Sequence, residues 1–232
     1  MAVALAVAAA AENTTIPVNV GVVVDLDAQI GGKMFLSCIK MALEDFYASH
    51  AHFKTRLVLH TRNSKHTVVG AASAALDLIK NVQVQAILGP VTSMQACFVI
   101  NLGDQAHVPI LSFSATSPSL ASLRSSYFFR LTQTDSYQVK AISAIVKHFG
   151  WRQVVPIYVD NTYGEGVIPF LIDALQDVDA HVPYRSVVPP SATDDQVGEE
   201  LSKLMAMPTR VFIVHMTPKL SSSLFPRQKR LE

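Results

Sequence analysis

From Pro17 onward the chain alternates compact apolar runs with longer amphipathic ones, a rhythm that predicts strands feeding helices in parallel sheets. Val18 to Val24 is almost wholly apolar and β-branched and stops at Asp25, the reading of a strand covered on both faces. After the break at Gly31-Gly32, Lys33 to Ser49 places Phe35, Ile39, Ala42, Leu43 and Phe46 at helical spacing, predicting a helix with one stripe toward the sheet. The same logic predicts a strand over Arg56 to Thr61, an alanine-rich helix over Val68 to Lys80 and a short strand over Gln85 to Leu88. A helix from Thr92 to about Gln105 follows, then strands over Val108 to Phe113 and Tyr127 to Leu131. After Asp135 the cycle restarts with the stripe Val139, Ile142, Ile145, Val146 and Phe149, stopped by Gly150. Val154 to Val159, His181 to Val188 and Arg210 to His215 read as strands, and Gly164 to Gln176 as a helix with Pro169 in its first turns. The helix Thr193 to Met205 opens on a Thr193/Gln196 capping-box spacing.

Two such series predict an α/β fold of two doubly wound parallel-sheet lobes, a first over 17–131 and a second over 132–217, with 218–232 as a tail beyond them. Open parallel sheets bind ligands beyond the carboxyl ends of their strands, so function is sought in those loops. The 232 residues accommodate two lobes of about 100 residues each.

Composition narrows the function classes. Half the residues are hydrophobic and 16% are charged, below the roughly 25% of an average domain, which leaves little room for disordered tracts. The formal charge is +1, and no basic cluster precedes Arg227 to Arg230, so phosphate neutralisation has little to work with and nucleic acid is not an expected partner. Cys38 and Cys97 cannot make a disulfide framework; in a sheet of order 2-1-3-4-5 they would cover opposite faces, and both are expected as buried thiols. Met1 to Ala11 is too short to span a bilayer. Its alanine-rich end suits a signal peptide but lacks a positive start, so residues 1–16 stand as either a leader or an alanine-rich tail. Asn13-Thr14-Thr15 is a glycosylation sequon, meaningful only in the secretory pathway.

Enzyme signatures fail. Gly31-Gly32-Lys33-Met34 lacks the hydroxyl that a phosphate loop needs for magnesium, and in Gly164-Glu165-Gly166 the third glycine of a dinucleotide fingerprint is replaced by Pro169. The histidines show no metal-ligand spacing, so neither a metal nor a cofactor is expected. Asp25 and Asp27 read as solvated loop acids. Hydroxyl placement at strand ends carries more information. Thr92 and Ser93 open a helix, where free N–H groups and the dipole favour an anion, though ordinary capping also explains them. Ser112, Ser114, Thr116 and Ser117 crowd the next strand end, with Pro118 suited to follow a Ser117 cap. Asp135 suits either a helix cap or a partner for an ammonium group, and Tyr163 either a turn or a residue closing over a ligand from the second lobe.

Several blocks occur together: Val18-Asn19-Val20-Gly21-Val22-Val23-Val24-Asp25, Ala86-Ile87-Leu88-Gly89-Pro90 with Thr92-Ser93, and Ser112-Phe113-Ser114-Ala115-Thr116-Ser117-Pro118. Gly150-Trp151-Arg152, Tyr158-Val159-Asp160-Asn161 and Tyr163-Gly164-Glu165-Gly166 follow. In this order they resemble the amino-terminal ligand-binding region of plant glutamate receptor-like channels, part of the type I periplasmic-binding-protein superfamily, from about Pro17 to Thr217. The resemblance implies two hinged lobes that bind a small amino-acid-like ligand. Ser93, Ser114 and Thr116 would hold its carboxylate and amino groups, Asp135 would meet the amino group and Tyr163 would approach from the second lobe; Thr92 joins them as a ligand contact by its place beside Ser93 at the helix start. It further implies an extracytoplasmic location, on the outer side of the plasma membrane if the chain is targeted, and no catalysis. In the family this region runs further, so the second lobe and return segments are expected to be incomplete and the pore absent. An alternative within the family is an assembly module that pairs with other receptor subunits through first-lobe helices such as the one bearing Met34, Phe35 and Ile39; a non-functional truncated product is another.

Overall fold

The structure, a computed structural model, describes residues 15–28 and 31–231, with side chains through Phe225. Of residues 1–16, read as a leader or a tail, 1–14 including Asn13 lie outside the described residues, and Ile16 belongs to the first strand. The chain runs β1 (Ile16–Val24), α1 (Gly31–Ser49), β2 (Thr55–Asn63), α2 (Val68–Asp77), β3 (Ala86–Leu88), α3 (Ser93–Ala106), β4 (Ile110–Ser112) and β5 (Phe128–Arg130) through its first lobe. It continues as α4 (Ser136–His148), β6 (Val155–Val159), α5 (Thr162–Gly166), α6 (Ile168–Gln176), β7 (Ser186–Val188), α7 (Asp194–Met205), β8 (Phe212–His215) and α8 (Pro218–Leu231).

Every ladder is parallel. The first sheet has the order β2-β1-β3-β4-β5, with Ile16 opposite Thr55 and Val20 opposite Ala86, and the second the order β7-β6-β8. Two parallel-sheet lobes were the expected architecture, and the strand order of the first is the doubly wound one. Val23, Ile87 and Ile110 pack with Leu78, Val99 and Ile100 into a core between the first sheet and the helices α2 and α3. In the second lobe, β6 is buried along its whole length. Val197, Leu201 and Leu204 of α7 join Leu220 and Leu224 of α8 on one side, and Val139 and Val146 of α4 join Leu171 and Leu175 of α6 on the other.

Three local expectations change. The α1 stripe is only partly covered: Gly32 is its one buried residue, and Phe46 stays exposed. The helix lies near the sheet edge, where Tyr47 Oη accepts the Leu57 N–H and Phe46 packs on His50 and Phe53. Cys38, on this helix, is therefore exposed and not a buried thiol, whereas Cys97 packs against the first core. The helix expected over Gly164 to Gln176 begins earlier and divides at Val167, because Pro169 has no N–H to continue the ladder and takes a first-turn position of α6. In α4, Val139 and Val146 are buried but Ile145 and Phe149 are exposed, so the apolar stripe is narrower than its spacing predicts; Phe149 stacks on Trp151 at 4.9 Å.

Candidate functional site

Parallel strands place the loops that follow them at one end of each lobe, and these loops enclose a cavity of about 230 Å³ between the lobes. Thr92, Ser93, Ser114 and Thr116 line it from the first lobe, and Asn161, Tyr163 and Thr217 from the second. Five of the six residues singled out as ligand contacts thus share one wall-to-wall space. Asp135, the sixth, does not line it.

Thr92 is the N-cap of α3, accepting the Gln95 N–H on Oγ1 at 3.3 Å, while its carbonyl accepts the Ala96 N–H. The N–H groups of Ser93 and Met94, in the first turn, have no intrahelical acceptor and are open to an anion. Ser93 is buried, and its Oγ accepts the Ser117 N–H at 3.2 Å, which leaves the hydroxyl proton to donate.

The crowd of hydroxyls after β4 does not cap a helix. Ser112 Oγ donates to the Pro90 carbonyl and accepts the Ala115 N–H, and Ser114 Oγ donates to the Val91 carbonyl at 2.7 Å. Ser117 stands at the start of the short 3₁₀ segment Pro118–Leu123 without capping it. Its Oγ instead crosses the lobes to the Thr162 carbonyl at 2.6 Å and pairs with Ser119 Oγ at 2.8 Å. Thr116 is the exception: its hydroxyl has no partner among the described residues, while its carbonyl is fixed by the Asp135 N–H and an Arg130 guanidinium N–H. The loop is rigid, and one of its hydroxyls is free in the cavity.

Asp135 occupies the position before α4 but makes no side-chain cap bond. It is 3% exposed; Oδ1 accepts from the Gln138 amide, and Oδ2 has no hydrogen-bond partner. His215 Nε2 lies 3.9 Å from that oxygen, and the His215 ring packs against Tyr163 with centroids 4.4 Å apart. Burial, and then the charge of Asp135, push the Tyr163 phenol above its usual range, so it is a neutral group at physiological pH. Asn161 caps α5, accepting the N–H groups of Tyr163 and Gly164, and so fixes the tyrosine backbone at the cavity wall.

At the mouth, His66 Nδ1 lies 2.9 Å from Asp25 Oδ2. Asp25 also accepts the Asp27 N–H and is buried, so it is not the solvated loop acid its position suggested; Asp27 is exposed and bonded to Asn63. None of His66, Asn161, Thr217 and His215 was expected as a site residue from the sequence. Asn161 and the Thr217-Pro218 pair carried ordinary helix-start signals, whereas His215 carried none, because its partners Asp135 and Tyr163 are remote in the chain.

A second hollow of about 220 Å³ opens among Leu201, Leu204, Phe212 and Leu224. Its charged lining residue, Arg210, is bound to the Met207 and Thr209 carbonyls, so nothing there converges on a polar ligand. Among the described residues no cluster of His, Cys, Asp or Glu could hold a metal ion, and no helix is long and apolar enough to cross a membrane.

A family model described as the receptor family ligand binding region matches residues 35–232. Glutamate receptor 2.2 of Arabidopsis thaliana is 57% identical over 220 residues, which cover 95% of this chain and 24% of that receptor. Glutamate receptor 2.3 of the same plant is 58% identical over 214 residues, covering 92% of this chain and 24% of the receptor. The chain spans about a quarter of the length of these curated relatives.

Proposed function

The chain belongs to the receptor family ligand binding region, a binding family and not an enzyme family, and we propose that its interlobe cavity takes a small amino acid by closure of the lobes. One observation carries the reading: a helix N-terminus with a free hydroxyl beside it faces an aromatic residue of the other lobe across a shared space. The ligand carboxylate meets the N–H groups of Ser93 and Met94 and the Ser93 hydroxyl, where both hydrogen bonding and the helix dipole favour negative charge. Thr116 offers its free hydroxyl oxygen to the ammonium group, and the nearby Asp135, whose backbone N–H holds the Thr116 carbonyl and whose Oδ2 lacks a hydrogen-bond partner, supplies negative potential. Tyr163 covers the ligand, and the binding energy biases the lobes toward contact. The volume, below the ~300–1,000 Å³ of sites for drug-sized molecules, sets the size class.

The relatives are named as glutamate receptors, and in a complete receptor of that kind closure is the step that would couple to gating of a cation channel on the outer side of a membrane. Calorimetric titration of the 232-residue chain with a panel of amino acids tests the binding reading. Saturable heat that Thr116→Ala reduces about tenfold in affinity, the cost of one hydrogen bond to a charged group, is expected. Heat from no amino acid would refute it.

A second reading, assembly with other subunits through first-lobe helices, draws on the exposure of Met34, Met41 and Phe46 along α1. It predicts concentration-dependent self-association in sedimentation, abolished by Met41→Glu, with no ligand heat.

A further inference from the structure

Resting on the proposed amino-acid reading, we infer that the cavity selects ligands with an uncharged, largely apolar side chain and excludes glutamate and lysine. Beyond the polar wall that faces the backbone of an amino acid, the lining is Val68, Val91, Met94 and Pro218. No Lys, Arg, Asp or Glu lines the cavity among the described residues. One helix N-terminus provides for one carboxylate. A second carboxylate, on a glutamate side chain, would be desolvated against methyl and thioether groups with no cation to meet it, and a lysine ammonium would find no acid there. The Asp135 carboxylate does not change this, since it is not part of the cavity lining and its oxygens face Gln138 and His215.

The one lining residue with a basic side chain is His66. Its side chain is 76% exposed at the mouth, where water screens its interactions, and Nδ1 already faces Asp25 Oδ2 at 2.9 Å, so the ring is engaged by that carboxylate and not by the cavity. The other ionisable lining group, Tyr163, is held neutral by burial and by Asp135. Gln95 is turned to structural use, its amide donating to the Thr67 carbonyl at 3.3 Å. What remains for the ligand side chain is the thioether of Met94 with Val68, Val91 and Pro218, beside the uncharged Asn161 and Thr217, a surface that accommodates aliphatic and thioether side chains of differing shape.

The test is calorimetric titration of the 232-residue chain with L-methionine, L-leucine, L-glutamate and L-lysine, repeated with Val68→Arg. Methionine and leucine are expected to bind about 10- to 100-fold more tightly than glutamate or lysine, the cost of one buried polar group left unpaired. Val68→Arg, at the first residue of α2, is expected to weaken methionine and bring glutamate within about threefold of it by supplying the missing cation. Glutamate or lysine binding as tightly as methionine would overturn the inference while leaving the amino-acid reading standing. An unchanged methionine-to-glutamate ratio in a folded Val68→Arg chain would overturn it too, since the lining would then not set the choice. Heat from none of the four, with the rest of the panel equally silent, would remove the amino-acid reading and the inference with it.

Discussion

Gly166 meets the first lobe where there is no room for a side chain. It ends α5, and a Cβ placed on it would lie 2.1 Å from Ser117 Oγ and 3.1 Å from Ser119 Oγ, where real contacts stay beyond 3.0 Å. Neither serine can yield without loss, because Ser117 is fully buried and both hydroxyls belong to the bridge that joins the 3₁₀ segment to the Thr162 carbonyl. Gly166→Ala therefore forces either a rotation of Ser117 or a displacement of α5 by about 1 Å, and both break the bridge. Losing one neutral hydrogen bond costs about 0.5–1.5 kcal/mol, and stranding a buried donor brings the total to about 1–3 kcal/mol against lobe contact. At 1.4 kcal/mol per tenfold, the ratio of docked to undocked lobes falls by about 5- to 140-fold. Native-state hydrogen exchange read by mass spectrometry is the assay, with amides of 112–123 and 160–170 exchanging faster by that factor and those of β6 unchanged. Ser117→Ala removes the bridge without overlap, so alone it should cost about 1 kcal/mol, and combined with Gly166→Ala it should cost no more, because the obstructing oxygen is gone. Unchanged exchange in Gly166→Ala, or a double variant as damaged as the sum of the singles, would show that the two lobes do not meet through this contact.

Two further outcomes test the packing. Glu200 on α7 accepts the Tyr184 hydroxyl at 2.9 Å and the Ser186 hydroxyl at 2.8 Å, tying that helix to β7; burial pushes its carboxyl up, but these bonds and Lys203 outweigh burial and leave it below its ordinary 4.5. A lowered folded value gives stability that is full above 4.5 and disappears as pH falls through the folded value, so melting scans from pH 7 to pH 3 should show an acid loss that Glu200→Gln removes, at a cost near neutrality of about 1 kcal/mol, with the exposed Lys203 arm adding little. Leu78→Ala, at a fully buried side chain packed against Ile87 and the α3 face, should cost about 2–5 kcal/mol in denaturant unfolding, and a change under 1 kcal/mol would show that the first core is not where it is described.

The strands and helices were legible because each buries a face whose period is local. The Val18 to Val24 run, the Thr193/Gln196 capping box and the strand order of the first lobe appear where the residues put them. What the letters could not carry were pairings across long stretches of chain. Ser117 has the neighbours of an N-cap, with Pro118 after it, yet spends its hydroxyl on Thr162, 45 residues on. Asp25 ends a strand as a loop acid would, yet is buried against His66, and Asp135 looks like a cap while its free oxygen faces His215. The α1 stripe shows the converse failure: a helical period states which side is apolar but not how much of it is covered, and here the sheet edge covers little of it.

Each lobe presses a helix start onto the end of a strand, and the cavity between the lobes is faced mainly by uncharged groups. At the end of β1, Gly32 in the first turn of α1 packs so closely that a Cβ would lie 1.8 Å from the Asp25 carbonyl; at the end of β6, one on Gly164 in α5 would lie 1.9 Å from the Val159 carbonyl. In each lobe a helix start is pressed onto the strand end that precedes it, an approach that only a residue without a side chain permits. On the first-lobe side the cavity is faced by the start of α3 and the loop after β4, which present the hydroxyls of Thr92, Ser93, Ser114 and Thr116 and no charged side chain. The polar wall is then built from fixed dipoles and carries no full charge, and a wall of fixed dipoles binds a zwitterion through its two local charges while offering nothing to a net charge elsewhere on the ligand. Selectivity against charged side chains thus follows from the packing that makes the cleft, and the same packing predicts that enlarging Gly164 to Ala would unseat Tyr163 and weaken every amino acid equally, with no change in the order of preference among them.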